Sequence, residues 1–514
     1  MAADLILAID QGTSSTKCLL VGSDGDVVDS ATAPLAESCP RPGWVEQDPE
    51  GVWRSVAEAV AALMARHDPK RVAAVGLANQ RESLLLWEKA TGEAISPLLS
   101  WQDQRTADLA HRIGTARVRE RVRTLSGLPL DPMFSALKAR WLLDAYDPDR
   151  TRSKAGELAL GTVDSWLLAK LGGRHVVEIG NASRTQLLDT ANGVWSEELA
   201  DIFGVPMAAL PEVLPSTGPF PAVTGLAPLL DGTPLLAVLG DSHAALFGHG
   251  VRAPGAVKAT YGTGSSVMGL IGPATEEFDR GTCLTVAWQI EGAPPSLAAE
   301  GNIRSSGSTF RWLADVFGLS VDALIEEALA AAPSGVSLVP AFNGLGAPYW
   351  DDGATALIAG FKLGTPRAAI LRAGVESMPH QVADVVASVE RTMGARVESL
   401  HADGGPSTND GLMQLQADLA GCEVVRPKIT ALSGYGAARL AGVAAGMFPL
   451  LGGNGVVERT FTPALAADAR EARRDEWHAA VARATSPAAT DSQSETDSQS
   501  ETTPTPRAVR VVGA

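Results

Sequence analysis

The sequence predicts an α/β protein made of two related domains. The chain has 514 residues. That is more than the roughly 250–300 residues that one hydrophobic core usually serves. Short apolar runs typical of strands alternate with helical patterns in the first half. A strand–turn–strand pattern near the N-terminus also returns half a chain later.

The chain opens with a pattern typical of a β-meander. Apolar runs at 5–9 and 17–21, and a third that starts at Val27, are separated by turns that contain glycine. Asp48, which a proline follows, then predicts the start of a helix. A strand-like run at 72–77 comes next, so strands and helices share one α/β unit.

A second unit starts near residue 250. Residues 256–260 resemble a strand and lead into Gly262-Thr263-Gly264, as 5–9 lead into Gly12-Thr13-Ser14-Ser15. Because glycines and a proline cluster at 249–255, we expect an N-terminal domain at 1–249 and a C-terminal domain at 250–480. The remaining 481–514 contain DSQSET twice, and such polar low complexity predicts a disordered tail.

Composition and charge argue against several classes of protein. The formal net charge of −17 does not suit a nucleic-acid partner, which needs a basic surface. The four cysteines are far apart, so neither a zinc site nor a disulfide framework is expected. The sequence shows no leader pattern and no apolar run of ~18 residues, which predicts a cytoplasmic protein without membrane insertion.

Three turns carry residues suited to phosphate. In Gly12-Thr13-Ser14-Ser15 and in Gly262-Thr263-Gly264, backbone N–H groups and hydroxyls can converge on phosphate oxygens. One such turn alone is more often a plain connection, but two matching turns, one in each half, favour a grip on a phosphate chain. Asp403-Gly404-Gly405 is the third candidate, with a plain strand-to-helix turn as the alternative.

Charged and aromatic residues near strand ends suggest the remaining chemistry. Asp10 can ligate Mg²⁺ or cap a turn. Asp241 follows an apolar run and can accept the proton of an attacking hydroxyl, or cap the next helix. Arg81 and Glu82 can hydrogen-bond the hydroxyls of a polyol or form a solvated surface pair. Trp101 can cover a carbon chain or belong to the core.

Together these segments resemble the FGGY carbohydrate kinase family. The matching segments are 10–17, 79–83, 101–106, 161–166, 181–185, 240–241, 261–264, 344–350, 403–405 and 434–438. The resemblance implies an actin-like (ribonuclease H-like) fold, in which two domains, each with a mixed five-stranded sheet, flank a central cleft. It also implies an ATP-dependent kinase that phosphorylates a small polyol or sugar with the help of Mg²⁺.

The resemblance assigns roles to individual residues. Asp241 is implied as the general base, and Asp10 and Asp241 as Mg²⁺ ligands. The residues implied on the substrate side are Arg81, Glu82, Trp101, Met133, Asp241 and Ser242. Those implied on the ATP side are Gly12, Thr13, Ser14, Ser15, Lys17, Gly262, Thr263, Gly264, Gly307, Arg311, Gly405 and Asn409. Arg311 stands where members that act on glycerol usually have glutamine.

Two positions leave the substrate open. Met133 and Ser242 stand where the members that phosphorylate glycerol have tyrosine and glutamine. Both changes remove a hydrogen-bonding group from the substrate side and leave space for a larger substrate. Glycerol is the first expectation, and a four- or five-carbon polyol or ketose of the erythritol, xylitol or xylulose type is the alternative. A non-enzymatic ATP-dependent switch or sugar-responsive regulator on this fold is a further class. The sequence does not determine the oligomeric state, and a homo-oligomer is compatible with it.

Overall fold

A computed structural model describes residues 3–272, 278–451 and 457–485. The strands are β1 (Leu5–Gln11), β2 (Ser15–Gly22), β3 (Val27–Pro34), β4 (Glu46–Gln47), β5 (Val72–Asn79), β6 (Leu84–Glu88), β7 (Leu98–Leu99), β8 (Leu158–Thr162), β9 (Val176–Glu178), β10 (Leu188–Asp189), β11 (Val194–Trp195), β12 (Glu212–Leu214), β13 (Leu235–Gly240), β14 (Ala256–Tyr261), β15 (Ser265–Leu270), β16 (Cys283–Trp288), β17 (Ser296–Ile303), β18 (Ser337–Val339), β19 (Leu357–Ala359), β20 (Ser399–Gly404), β21 (Glu423–Pro427) and β22 (Val457–Phe461).

The helices are α1 (Pro49–Met64), α2 (Ala107–Ile113), α3 (Ala116–Ser126), α4 (Ser135–Tyr146), α5 (Thr151–Lys154), α6 (Val163–Gly172), α7 (Ile179–Ala182), α8 (Glu197–Phe203), α9 (Asp241–Gly248), α10 (Gly307–Phe317), α11 (Val321–Ala330), α12 (Arg367–Met393), α13 (Asp410–Ala420), α14 (Leu432–Ala444) and α15 (Ala467–Ala484). Short 3₁₀ turns lie at Pro69–Arg71, Met207–Ala209 and Gly405–Thr408.

The first sheet, with the strand order β13-β5-β1-β2-β3, confirms the expected meander. β1, β2 and β3 pair antiparallel in sequence, and β5 and β13 extend the sheet in parallel. β1 and β5 are apolar along nearly their whole length, because α1 and α6 cover one face of the sheet and α9 and α14 the other. α1 starts as predicted, since the Asp48 carboxylate accepts a hydrogen bond from the Glu50 N–H at 3.2 Å.

The second sheet repeats this topology and adds a strand at each edge. β14, β15 and β17 are antiparallel neighbours, and β20 and β21 extend from β14 in parallel. The expectation of five strands is wrong for this half, because the order β16-β17-β15-β14-β20-β21-β22 comprises seven. β16 and β22 pair with the two edge strands and so occupy their free hydrogen-bonding groups. The repeated core is the actin-like two-domain fold.

Helix α14 comes from the second half of the chain but packs on the first sheet. A Cβ atom on Gly76 of β5 would lie 2.3 Å from the Ala437 carbonyl oxygen, and one on Gly436 would lie 1.8 Å from that of Ala244 in α9. Glycine at these positions therefore permits contact between the backbones of β5, α14 and α9. Through this contact, a helix from the second half of the chain packs directly against the first sheet.

The last described helix, α15, packs on the second half through Trp477, Ala480, Val481 and Ala484. The expected boundary at 480 is therefore too early, because the helix continues to Ala484 and both Val481 and Ala484 are buried. The DSQSET repeats of the expected tail lie outside the described residues. In the described parts of the chain, no helix combines the length and the apolar character that a membrane crossing requires.

Candidate active site

Three parallel strands of the first sheet end at the same edge. Asp10 lies near the end of β1, Arg81 follows β5, and Asp241 follows β13. In the register of the sheet, Asn79 of β5 lies opposite both Gln11 and Gly240. The carboxyl ends of parallel strands are the usual ligand-binding edge of an α/β sheet. The fold therefore brings these three charged residues to one edge of the sheet.

The first candidate phosphate turn closes the β1–β2 hairpin. The Gly12 N–H donates to the Ser15 carbonyl at 2.9 Å, and the Thr13 hydroxyl accepts a hydrogen bond from the Trp101 indole at 3.1 Å. Lys17 lies opposite Asp10 in this hairpin. The turn thus places hydroxyls, backbone amides and one cation beside Asp10.

The second candidate turn is held by the start of α10. The Thr263 carbonyl accepts hydrogen bonds from the N–H groups of Ser306 and Ser308 at 3.0 and 3.1 Å, and the Gly307 N–H donates to the Gly262 carbonyl at 3.0 Å. The Arg311 guanidinium donates to the Thr263 hydroxyl at 2.9 Å. A Cβ atom at Gly307 would lie 2.5 Å from the Gly262 carbonyl oxygen, so this approach requires glycine.

The third candidate turn lies beside the second one. β20 is the parallel neighbour of β14, and Gly404 pairs with Tyr261, which directly precedes Gly262. Gly405 opens a 3₁₀ turn, after which the Asn409 side chain caps α13 by accepting from the Leu412 N–H at 3.0 Å. Three predicted ATP-side segments therefore meet at one edge of the second sheet. The capping bond leaves the Asn409 amide N–H₂ group for other partners.

Asp241 is the first residue of α9 and does not cap it. The cap position is Gly240, and the Asp241 carboxylate accepts instead from the adjacent Ser242 N–H at 2.6 Å. The Asp241 side chain is 39% exposed, and its Oδ1 lies 3.3 Å from Arg81 Nε. Loss of hydration and the charge of Asp241 raise the pKa of Asp10 to about 7. Two interacting carboxylates therefore stand at this edge.

Arg81 and Glu82 are not a solvated surface pair, because each is only 5% exposed. Both terminal nitrogens of Arg81 donate to the Glu300 carboxylate, at 2.7 and 2.6 Å. Glu82 accepts from Arg184 Nε at 2.6 Å. These contacts join residues that are far apart in sequence, so the sequence does not predict the roles of Glu300 and Arg184.

The other substrate-side candidates have unequal surroundings. Trp101 is 37% exposed, so it is not a core residue, and its backbone N–H donates to the Ser83 hydroxyl at 3.0 Å. Met133 is half-buried against an apolar cluster that includes Phe134. The Ser242 hydroxyl accepts a hydrogen bond from the buried Lys258 ammonium at 3.0 Å.

A buried carboxylate supports the segment that carries Arg184. Glu178 accepts hydrogen bonds from the N–H groups of Gly180 and Asn181, both at 2.8 Å, and from the Ser216 hydroxyl at 2.6 Å. Its burial raises its pKa from the ordinary 4.5 to about 8. The folded protein therefore keeps a proton that the unfolded chain has already lost between about pH 5 and pH 8.

We expect the stabilisation due to this proton to fall as the pH rises through that window, by up to about 1.4 kcal/mol per pH unit. Glu178→Gln removes the titrating group, so the advantage of the wild type over the variant in unfolding free energy should shrink as the pH rises from 5.5 to 7.5. Urea unfolding of both proteins at three pH values measures this difference. A difference that stays constant across the window would contradict the assignment.

Comparison with known proteins identifies the family. Models of the FGGY family of carbohydrate kinases match the chain at residues 5–248 (N-terminal domain) and 257–445 (C-terminal domain). The chain belongs to this family. As an FGGY kinase it is an ATP-dependent carbohydrate kinase, which confirms the resemblance seen in the sequence.

Individual relatives resemble this FGGY kinase over nearly its whole length. Glycerol kinase of Aromatoleum aromaticum is 42% identical over 489 residues, which cover 93% of this chain and 98% of that protein. The crystal structure of Plasmodium falciparum glycerol kinase with ADP matches with a TM-score of 0.88 and 27% identity over 94% of this chain and 98% of its own. Xylulose kinase from Rhodospirillum rubrum shares the fold, with a TM-score of 0.82 and 23% identity over 93% and 98% of the two chains.

Proposed function

We propose that this FGGY kinase transfers the terminal phosphate of ATP to a terminal hydroxyl of glycerol, giving glycerol 3-phosphate. The observation that carries the proposal is the charged pair Arg81 and Glu82 beside Asp241, with Arg81 Nε 3.3 Å from the Asp241 carboxylate. Hydrogen-bond donors and acceptors next to a base suit adjacent hydroxyls of a short polyol. The name of the 42% identical relative, a glycerol kinase, supports this choice.

In the proposed reaction Asp241 accepts the proton of the attacking hydroxyl. The hydroxyl oxygen forms a bond to the γ-phosphorus while the bond from that phosphorus to the β–γ bridging oxygen breaks, and ADP leaves. The turns 12–15 and 262–264 hold the phosphates from the two sheets, with Lys17 beside the first turn. Gly307, Arg311, Gly405 and Asn409 line the nucleotide. Residues 1–249 thus supply most of the polyol site and residues 250–480 most of the nucleotide site.

The carboxylates of Asp10 and Asp241 fit Mg²⁺. The charge of Asp241 contributes to the raised pKa of Asp10, and a divalent cation would relieve this repulsion. Mg²⁺ commonly uses one or two carboxylates together with substrate phosphates. When bound, Mg²⁺ would offset the negative charge of the phosphates.

A longer substrate is the second candidate, and Met133 and Ser242 favour it. The Met133 side chain offers only a thioether, which is a weak acceptor, and the Ser242 hydroxyl already accepts from Lys258 at 3.0 Å. One buried hydrogen bond contributes about 0.5–1.5 kcal/mol, so two missing contacts weaken glycerol without excluding it. A four- or five-carbon polyol or ketose can fill the room with its own hydroxyls.

ADP release with a panel of glycerol, erythritol, xylitol and xylulose tests the proposal. We expect glycerol to give measurable turnover, with a KM higher than in kinases that have tyrosine and glutamine at positions 133 and 242. A higher kcat/KM for one of the longer compounds would select the second candidate. ATP hydrolysis that no member of the panel stimulates would contradict both and favour an ATP-dependent switch.

A further inference from the structure

Four buried charges join the two halves of the chain next to the proposed polyol site. We refer to Arg81, Glu82, Arg184 and Glu300 as the charged quartet. Arg81 donates twice to Glu300, Arg184 Nη1 lies 3.0 Å from the same carboxylate, and Arg184 Nε donates to Glu82 at 2.6 Å. None of the four is more than 5% exposed. Because burial makes an unpaired charge costly, each member depends on the others.

Glu300 is the member of the quartet that the second half supplies. It lies on β17, whose other buried positions are apolar or glycine, and it also accepts from the Ser266 hydroxyl of β15 at 3.0 Å. Burial alone would raise its pKa, but the guanidinium groups of Arg184 and Arg81 hold the pKa of Glu300 well below its ordinary value. The strand thus presents a fixed carboxylate to two arginines of the first half.

This carboxylate determines which edge of Arg81 faces the reacting centre. Both terminal nitrogens of Arg81 bond to Glu300, which leaves Nε towards Asp241 at 3.3 Å. That Nε is buried and makes no hydrogen bond to another described residue. A buried donor that lies within ion-pair distance of Asp241 but is not hydrogen-bonded to it can donate to an acceptor that a ligand supplies. A polyol oxygen between Arg81 and Asp241 would be such an acceptor.

Glu82 is fixed as firmly as Arg81. Its backbone has a φ of 62°, a left-handed conformation that non-glycine residues rarely adopt. The Ser135 hydroxyl donates to the Glu82 carbonyl at 2.9 Å, and Arg184 orients the carboxylate. Such a conformation persists where the surroundings over-determine it, which is frequent at ligand sites.

We propose that Glu300 is a positioning residue for the polyol. It lies in the second half of the chain and acts indirectly, by fixing the orientation of the Arg81 guanidinium. The proposal rests on the proposed function in one respect, the contact between Arg81 and a substrate hydroxyl. Polyol affinity then depends on how the two halves dock, since β17 must bring Glu300 within hydrogen-bond distance of Arg81, which follows β5, for the double hydrogen bond to form. ATP affinity does not depend on this contact.

The test is Glu300→Gln, assayed with whichever panel substrate the wild type uses best, so that a wrong choice of glycerol does not affect it. We expect the KM for that substrate to rise about 10- to 100-fold, because two buried arginines then share one carboxylate and Arg81 loses its orientation. The KM for ATP should stay within about twofold.

Two further variants separate positioning from general damage. Glu376 is a matched control, since it is a buried glutamate between Arg372 and Arg473 outside the site. Glu376→Gln should lower the melting temperature and leave the polyol KM unchanged. Arg81→Met combined with Glu300→Gln should be no worse in polyol KM than Arg81→Met alone, because Glu300 acts through Arg81.

Three results would each overturn the proposal. They are an unchanged polyol KM in Glu300→Gln, a polyol KM in the double variant that rises by the product of the two single effects, and an equal rise of the polyol KM in Glu376→Gln. Should Glu300→Gln fail to fold, Glu300→Asp serves instead, since it keeps the charge and withdraws the carboxylate by one methylene. We expect it to raise the polyol KM at least threefold with the KM for ATP unchanged, and equal changes in both constants would count against positioning.

Discussion

Asp241→Asn is expected to lower kcat for polyol phosphorylation by about 10²–10⁴-fold, the usual cost of losing a general base. An amide in place of the carboxylate keeps the size of the side chain but cannot accept the proton of the attacking hydroxyl. The proposed nucleotide contacts lie on other residues, in the turns at 12–15 and 262–264 and at Gly307, Arg311, Gly405 and Asn409. Binding of a non-hydrolysable ATP analogue, measured by calorimetry, should therefore weaken little.

A matched control distinguishes this role from a helix-terminal one. Asp164 also follows a buried strand and lies in the first turn of its helix, α6, but it is not among the candidate site residues. Its carboxylate accepts from the Thr162 hydroxyl at 2.6 Å and the Glu178 N–H at 3.0 Å. Asp164→Asn should cost stability with little loss of kcat. If Asp241→Asn behaves in the same way, turning over within a few-fold of the wild type, Asp241 has a structural role only.

The predictable part of this fold has local causes. The β1–β2–β3 meander follows from short apolar runs between glycine turns, and α1 follows from Asp48 before a proline. The β14–β15 hairpin follows in the same way, because its turn repeats the Gly-Thr pattern of the first. In each case the residues that determine the element are neighbours in sequence. The extra strands β16 and β22 could not be inferred in this way, because they form by pairing with the free edges of a sheet whose strands are distant in sequence.

The candidate site, like the fold, has a part that local sequence predicts and a part that only tertiary contacts reveal. Asp10, Asp241 and the three turns are visible in sequence, because each places polar groups at or directly after the end of an apolar strand. Arg184 and Glu300 are visible only in the fold, since Glu300 meets Arg81 across 219 residues. The sequence holds one signal for Glu300, which is a charged residue inside the otherwise uncharged segment that forms β17. A buried charge of this kind needs a partner, but the sequence does not say which.

Gly404→Ala is expected to have the second large effect, through the turn that we propose binds the nucleotide. Gly404 has φ 90° and ψ 173°, a conformation that is essentially restricted to glycine. A Cβ atom there would lie 2.1 Å from the Tyr261 carbonyl oxygen and 2.9 Å from the Tyr261 backbone nitrogen. The substitution must therefore separate β20 from β14 just before both proposed phosphate turns. We expect the unfolding free energy to fall by about 3 kcal/mol or more, and the KM for ATP to rise by about tenfold or more.

Two other glycines separate the causes of that loss. Gly394 ends α12 with φ 65° and open space around its Cβ position, so Gly394→Ala carries the left-handed strain without a clash and should cost only about 1–2 kcal/mol. Gly405 has no atom within 4 Å of a built Cβ, so Gly405→Ala should fold like the wild type. Unfolding curves and ATP titrations of the three variants give the comparison. Equal stabilities for Gly404→Ala and Gly394→Ala would show that β14 and β20 shift to relieve the clash. The β14–β20 pairing would then hold the proposed nucleotide turns less rigidly than the close approach at Gly404 indicates.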